Sequence, residues 1–341
     1  MDSFKAVVLE KINEPLSIKK ISCEPLKYGQ VLVKVLTSGL CGAQLQEISG
    51  LKGNANYVPH LLGHEGCGIV IEIGDAVNSV KPGDKVVMHW KKGQGIEAPF
   101  PSYFSDEAKI GGGKVTTLSE YSVVSENRLT KVESDTPPEF CALLGCGLST
   151  ALGVINYEAN VKFGESVLVL GCGGLGLNII QASKLAGAFP ITAFDIVDKS
   201  HLSKNLGCSI FKTSLSDLSK NYDVIIDTTG NAELIKNTIP LLGDSGRYIL
   251  VGQNKPGQSL ELINSNHLFG SEGKSLRATQ GGDINPSKDI KRYAKLFNSG
   301  YIDIESIITH RYKIDDINEA FDVLRSGNAG RIIIEISEEK L

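Results

Sequence analysis

A glycine-rich hexapeptide, Gly171-Cys172-Gly173-Gly174-Leu175-Gly176, constrains this chain more than any other feature. It fits G-x-G-x-x-G. It follows an all-apolar run, Val167-Leu168-Val169-Leu170, and opens a stretch that places Leu175, Ile179, Ala182 and Ala186 on one helical face. Asp195 lies 19 positions after Gly176, behind a second apolar run, Ile191-Thr192-Ala193-Phe194. Alone, the hexapeptide is compatible with a structural glycine turn in any α/β protein. Between a strand and a helix, with a carboxylate closing the next strand, it reads as a dinucleotide fingerprint. The glycines permit a tight turn. They also let the backbone approach a pyrophosphate at a helix N-terminus, where unpaired N–H groups favour an anion. Gly171, Gly173, Gly174, Leu175 and Gly176 are therefore candidate cofactor-binding residues. Asp195 would accept hydrogen bonds from ribose hydroxyls and repel a 2′-phosphate, which favours NAD(H) over NADP(H). Lys199 and Lys204 keep a phosphate-bearing cofactor open.

The surrounding chain supports an α/β reading. Val224-Ile225-Ile226 and Ile249-Leu250-Val251 are further buried-strand candidates of parallel type, and strands alternating with helical periodicity predict a doubly wound sheet. Before about Lys131 the pattern is β-rich. Short runs such as Val31-Leu32-Val33-Lys34-Val35 and Gly68-Ile69-Val70-Ile71-Glu72-Ile73 lie between turn signals. Residues 91–114 are the least regular and read as an excursion from the first domain. Gly281-Gly282-Asp283-Ile284-Asn285-Pro286 reads as a linker. Helices around 290–297 and 314–324 and a last strand over 332–336 are expected after it.

Length and charge narrow the function. At 341 residues the chain has room for two domains, and 41% apolar with 22% charged residues excludes a mostly disordered chain. A formal net charge of −4 gives no footprint for nucleic acid or an anionic membrane, and neither is expected as a partner. Seven cysteines, an odd number in a long chain, argue against a disulfide framework. The longest uncharged stretch, 166–183, is interrupted by four glycines, Asn178 and Gln181, and suits strand, turn and helix better than a membrane span. With no signal-peptide pattern at the start, a cytoplasmic, reduced protein is expected.

Three segments of the first part carry metal-ligating side chains: Gly39-Leu40-Cys41-Gly42, Gly63-His64-Glu65-Gly66 and Leu144-Gly145-Cys146-Gly147. Their spacings, 23 and 82 residues, make no local motif, and spacing alone leaves buried cysteines and one satisfied histidine. The residue types point further. Two thiolates and an imidazole form a catalytic zinc set with a fourth position open, and Glu65 could be a transient ligand or a partner just outside the set.

Together with Lys81-Pro82-Gly83-Asp84-Lys85-Val86, Leu148-Ser149-Thr150, Ile317-Asn318-Glu319-Ala320-Phe321 and Gly330-Arg331, these segments follow the order found in the zinc-dependent medium-chain alcohol dehydrogenases, which the whole chain resembles. The resemblance implies a β-rich GroES-like catalytic domain formed by 1–147 and 282–341, with a doubly wound Rossmann domain, 148–281, inserted between. It implies zinc on Cys41, His64 and Cys146 with Glu65 beside them, Thr150 against the nicotinamide and Arg331 near the cofactor phosphates. A homodimer or homotetramer is expected. No cysteine occurs between Cys67 and Cys141, so the four-cysteine structural zinc of many members has no ligands here, and one zinc per subunit is expected. Two after Cys41, where a relay hydroxyl is usual, stands Ala43. The next position, often Asp, is Gln44.

The resemblance implies hydride transfer between NAD(H) and an alcohol whose oxygen zinc stabilises as it becomes alkoxide-like, or the reverse on a carbonyl. A secondary alcohol, polyol or sugar-derived substrate is favoured. Trp90, the only tryptophan, either walls the substrate pocket or is a core aromatic. His89 beside it reads as a hydrogen-bonded structural histidine. Two alternatives remain: a zinc-free enone or quinone reductase of the same superfamily, and a non-catalytic NAD-binding scaffold or sensor.

Overall fold

Gln30–Leu40 is the longest strand described in the computed structural model, and ten of its eleven residues are buried. The structure describes residues 3–52, 55–106 and 108–338. A strand of Val, Leu and small residues buried on both faces belongs at the centre of a sheet. Here it pairs with Glu65–Ile73, Tyr121–Ser125 and Arg331–Glu335, all antiparallel. Lys85–His89 and Leu129–Lys131 extend the sheet on one side and Ile308–Lys313 on the other. Leu40 stands opposite Ile332, Ser38 opposite Gly66, and Glu65 opposite His89. That register gathers Cys41, His64 and Arg331 at one end of the sheet, although Arg331 lies more than 260 residues beyond the other two in the chain.

The chain forms two compact units. Residues up to 149, with 285–299 and 308 onward, make the first; residues 150–284 and 300–307 make the second. Beside its large sheet, the first unit holds a closed barrel of Phe4–Leu9, Ser17–Cys23, Ser102–Ser105, Ala108–Gly111 and His60–Leu61. Two of those strands lie in the expected excursion, 91–114. That expectation is corrected: the segment contributes Tyr103 and Ile110 to the barrel core. Tyr103 is fully buried, and its hydroxyl accepts the Val123 N–H at 2.9 Å. The signal was weak because these strands are four residues each and alternate around prolines and glycines.

The second unit is a six-stranded sheet, parallel throughout. Its order is Ile210–Lys212, Ile191–Phe194, Val167–Leu170, Tyr222–Asp227, Leu242–Leu250, Ser275–Ala278. Numbered along the chain, the order is 3-2-1-4-5-6, the doubly wound arrangement with its switch point beside the first strand. Helix Gly174–Leu185 follows that strand. It was expected to bury one face, but Gly176 through Ser183 are all buried while Leu175 and Ala186 are only partly so. The helix packs against the sheet, the turn Val154–Glu158 and helix Ser200–Asn205, which leaves no solvent face along its middle. The expected linker at 281–286 does carry the boundary between the units, after Ile284, but its glycines form a buried tight turn while Asp283 and Asn285 are exposed. Gly281 and Gly282 take φ of 70° and 69°, and a Cβ on Gly282 would meet Val154 N at 2.7 Å. The later helices form over Pro286–Asn298 and Ile317–Ser326, the second preceded by a 3-10 turn at Ile314–Asp316, and the last strand over Arg331–Glu335. Among the described residues no single helix is long and apolar enough to cross a membrane.

Candidate active site

Cys41 directly follows the central strand and is the N-cap residue of the short helix Gly42–Ile48. Its backbone N–H is held by Gln44, whose Oε1 accepts it at 2.7 Å. Gln44 is fully buried, and its Nε2 has no hydrogen-bond partner among the described residues. The sequence marked Gln44 as a departure from Asp; the structure gives it a grip on the backbone of Cys41. His64 follows Gly63, whose φ of 98° L side chains rarely adopt. A Cβ there would collide with Thr117, meeting its backbone N at 2.7 Å. Cys146 follows Gly145, against which Met88 O and Glu65 Cα press so closely that no Cβ fits. Two glycines thus let the backbone come close enough to deliver the histidine and the second cysteine.

The ligand atoms of Cys41, His64 and Cys146 lie within 4.8 Å of one another, and all three residues are half-buried. Tetrahedral zinc with Zn–S of ~2.3 Å and Zn–N of ~2.0 Å sets its donors about 3.4–3.8 Å apart, so the cluster suits that ion with little movement. The protonation pattern agrees. Cys41 is held well below the ordinary thiol range, first by its hydrogen bond with Cys146 and then by His64, and Cys146 is pushed up by the same partnership with Cys41. Burial works to lower His64, but the hydrogen bond and charge of Cys41 leave it raised. A bound cation would take the place of protons held in this cluster.

Glu65 was expected among or beside the ligands. Its carboxylate is fully buried; Oε1 pairs with Arg331 Nη2, and Oε2 accepts the Gly147 N–H at 3.1 Å. It therefore fixes the residue after Cys146 and stands outside the three-residue cluster. Arg331 was expected near the cofactor phosphates; the partner the structure shows for it is Glu65, and it is only 3% exposed. Its guanidinium also presses on Gly147, with Nη1 3.0 Å from where a Cβ would stand. Trp90 is partly exposed. Its N–H reaches Gly145 O at 3.4 Å, and its carbonyl accepts from Arg128 Nη1. His89 is buried between Lys91 O at 2.7 Å and Thr130 Oγ1 at 3.0 Å, as a structural histidine should be.

In the second unit, Gly171 has φ of 87°, and a Cβ on Gly176 would collide with the carbonyl of Gly171. At Gly173 a Cβ would meet nothing within 4 Å, which leaves the loop's outer side open to a ligand. Asp195 braces this loop: Oδ2 accepts the Cys172 N–H at 2.6 Å and Oδ1 the Val197 N–H at 3.0 Å. Lys199, kept open for a phosphate, is instead buried, with Nζ 3.2 Å from Cys172 O and 3.9 Å from Asp195. Cys172 is fully buried, and burial raises its thiol. Thr150 is 7% exposed, and a Cβ on Gly282 would collide with its carbonyl oxygen.

A doubly wound dinucleotide sheet in one unit and a Cys-His-Cys cluster in a β-rich other unit define a zinc- and nicotinamide-dependent dehydrogenase. Residues 27–134 match the family model described as "Alcohol dehydrogenase GroES-like domain", and residues 174–299 match "Zinc-binding dehydrogenase". The S-(hydroxymethyl)glutathione dehydrogenase of Paracoccus denitrificans is 27% identical, the comparison covering 97% of this chain and 99% of that one. The Saccharomyces cerevisiae protein of the same name is 28% identical, with coverage of 98% and 97%. The crystal structure of benzyl alcohol dehydrogenase from Acinetobacter calcoaceticus shares the fold with a TM-score of 0.88 at 24% identity, covering 99% of this chain and all of that one. The chain belongs to the zinc-dependent medium-chain dehydrogenase family. It is an oxidoreductase acting on the CH–OH group of small-molecule alcohols.

Proposed function

We propose that this enzyme interconverts a secondary alcohol, polyol or sugar-derived alcohol and its carbonyl form with NAD(H), using one zinc per subunit, and that it works in the cytoplasm as a homodimer or homotetramer. The observation that carries the proposal is the Cys41–His64–Cys146 cluster, whose ligand atoms lie within 4.8 Å of one another. We assign these three residues to the metal. Glu65 and Arg331 act as the buried ion pair that fixes Gly147, and so Cys146, in place. Zinc held there supplies the charge that acidifies a bound alcohol or polarises a carbonyl.

The remaining roles fall to the chain itself. The Gly171–Gly176 turn offers backbone N–H groups to a pyrophosphate. Asp195, already fixed by two backbone N–H groups, presents its charge where a ribose is expected and disfavours a 2′-phosphate. Lys199 stays beside it and, being buried, is poorly placed to serve that phosphate. Thr150 is assigned to the nicotinamide end and Trp90 to the substrate wall. Ala43 carries no proton, so the alcohol proton leaves by water or through a neighbouring hydroxyl of a polyol. We assign catalysis to residues 1–147 and 282–341 and cofactor binding to 148–281.

The test is turnover on a panel of secondary alcohols, polyols and keto-sugars, followed by reduced-nicotinamide absorbance. Benzyl alcohol and S-(hydroxymethyl)glutathione belong in the panel because similar proteins bear those names. Activity confined to the last two would shift the substrate class. Absence of turnover on every member, by zinc-replete protein, would favour the scaffold alternative.

A further inference from the structure

We propose that Arg128 is a positioning residue that fixes Trp90 beside the metal ligand Cys146 and thereby sets the size of alcohol the site accepts. The proposal rests on the assignment of Trp90 to the substrate wall. Arg128 closes the 3-10 turn Glu126–Arg128, and its side chain is 15% exposed. One end of its fork, Nη1, donates to the Trp90 carbonyl. The other, Nη2, donates to both carboxylate oxygens of Glu97, at 3.2 and 3.3 Å. Glu97 is held in turn by Asn127 Nδ2 at 2.8 Å. On its other side, Trp90 is tied through its own N–H to Gly145 O at 3.4 Å, one residue before Cys146. The Trp90 backbone is therefore gripped between an arginine and the segment that carries a metal ligand.

The segment leaving Trp90 has no regular structure of its own until Ser102. It is strapped to residues 125–127 instead. Gly93 N–H reaches Asn127 O at 2.8 Å, Ile96 N–H reaches Glu126 Oε2 at 2.8 Å, and Ala98 N–H reaches Ser125 Oγ at 2.8 Å. None of these three contacts involves Trp90; the neighbouring Arg128 contact does. A planar fork can bind a carboxylate and a carbonyl together in fixed directions; a lysine ammonium keeps the charge but not that geometry. Arg128 thus ties the placement of the strap to the Trp90 backbone that carries the indole.

Trp90 is the only tryptophan, so intrinsic fluorescence reports this one side chain. Arg128→Lys and Arg128→Gln would be measured as zinc-loaded enzyme, with emission maximum, acrylamide quenching, zinc content, and kcat and KM for a small and a bulky aromatic alcohol. If Arg128→Gln fails to fold, Arg128→Lys carries the test. The expected result is altered Trp90 emission and quenching at normal zinc content. The kcat/KM ratio of bulky to small alcohol should move roughly 10-fold, within the range of apolar pocket contacts. A folded Arg128→Lys with wild-type emission and an unchanged ratio would overturn the proposal. Trp90→Ala is the separate control. If it leaves the ratio unchanged, the assignment of Trp90 to the substrate wall fails, whatever the fluorescence of the arginine variants shows.

Discussion

Asp195 shows how much one carboxylate can carry in this fold. It was legible as the acidic residue behind the second sheet strand. Its bond to the Cys172 N–H, 2.6 Å long, was not, because the contact depends on how the glycine loop folds back. The residue therefore serves both the loop and the cofactor preference. NADH should bind more tightly than NADPH, and Asp195→Asn should narrow that gap by about 1–3 kcal/mol, or roughly 5- to 150-fold. Absolute NADH affinity should fall too, since the Cys172 N–H loses a charged acceptor. Titration with both reduced cofactors checks this; tighter NADPH binding by the wild type would refute the role. Gln44 and Arg331 teach the same lesson. Gln44 looked like a lost function until its contact with the Cys41 backbone was seen, and Arg331 meets Glu65 across 266 residues of sequence. Side-chain chemistry was readable position by position, whereas pairings made by sheet register were not.

At the scale of elements, the glycines flanking the ligands matter as much as the ligands. The motif around His64 was readable because Gly63, His64 and Glu65 are contiguous, but the reason for the glycine is the crowding by Thr117. Gly63→Ala combines a left-handed backbone with overpacking and should cost roughly 2–4 kcal/mol. Chemical unfolding would measure that, and zinc content should fall with it because the residue leading directly into His64 must shift. Wild-type stability and zinc in Gly63→Ala would contradict this account of the turn. The barrel strands Ser102–Ser105 and Ala108–Gly111 went unread for a different reason. Short strands gain their burial from the closed sheet around them, and that closure leaves little mark on local hydrophobic alternation.

For the whole molecule, acid stability should bear the mark of His89. Its buried ring is satisfied in the neutral state, with Nδ1–H donating to Lys91 O and Nε2 accepting from Thr130. Burial lowers its pKa to about 4, against 6.5 when unfolded. The folded state thus resists a proton that the unfolded chain takes up. The contribution is complete above pH 6.5 and is lost as pH falls from 6.5 towards 4, by up to roughly 3 kcal/mol. Urea unfolding at pH 7 and pH 4.5 should show a smaller acid loss in His89→Asn than in the wild type. Equal losses would mean that other groups dominate.

The metal assignment draws three separate motifs of the first unit into one site, and zinc stoichiometry tests it most directly. Protein purified without chelator should hold close to one zinc per chain. Cys146→Ser should lose that zinc and all alcohol oxidation while keeping its NADH affinity, because the glycine loop belongs to the other unit. Two zincs per chain, none after supplementation, or full zinc retention in Cys146→Ser would contradict the assignment of Cys41, His64 and Cys146 as the metal centre.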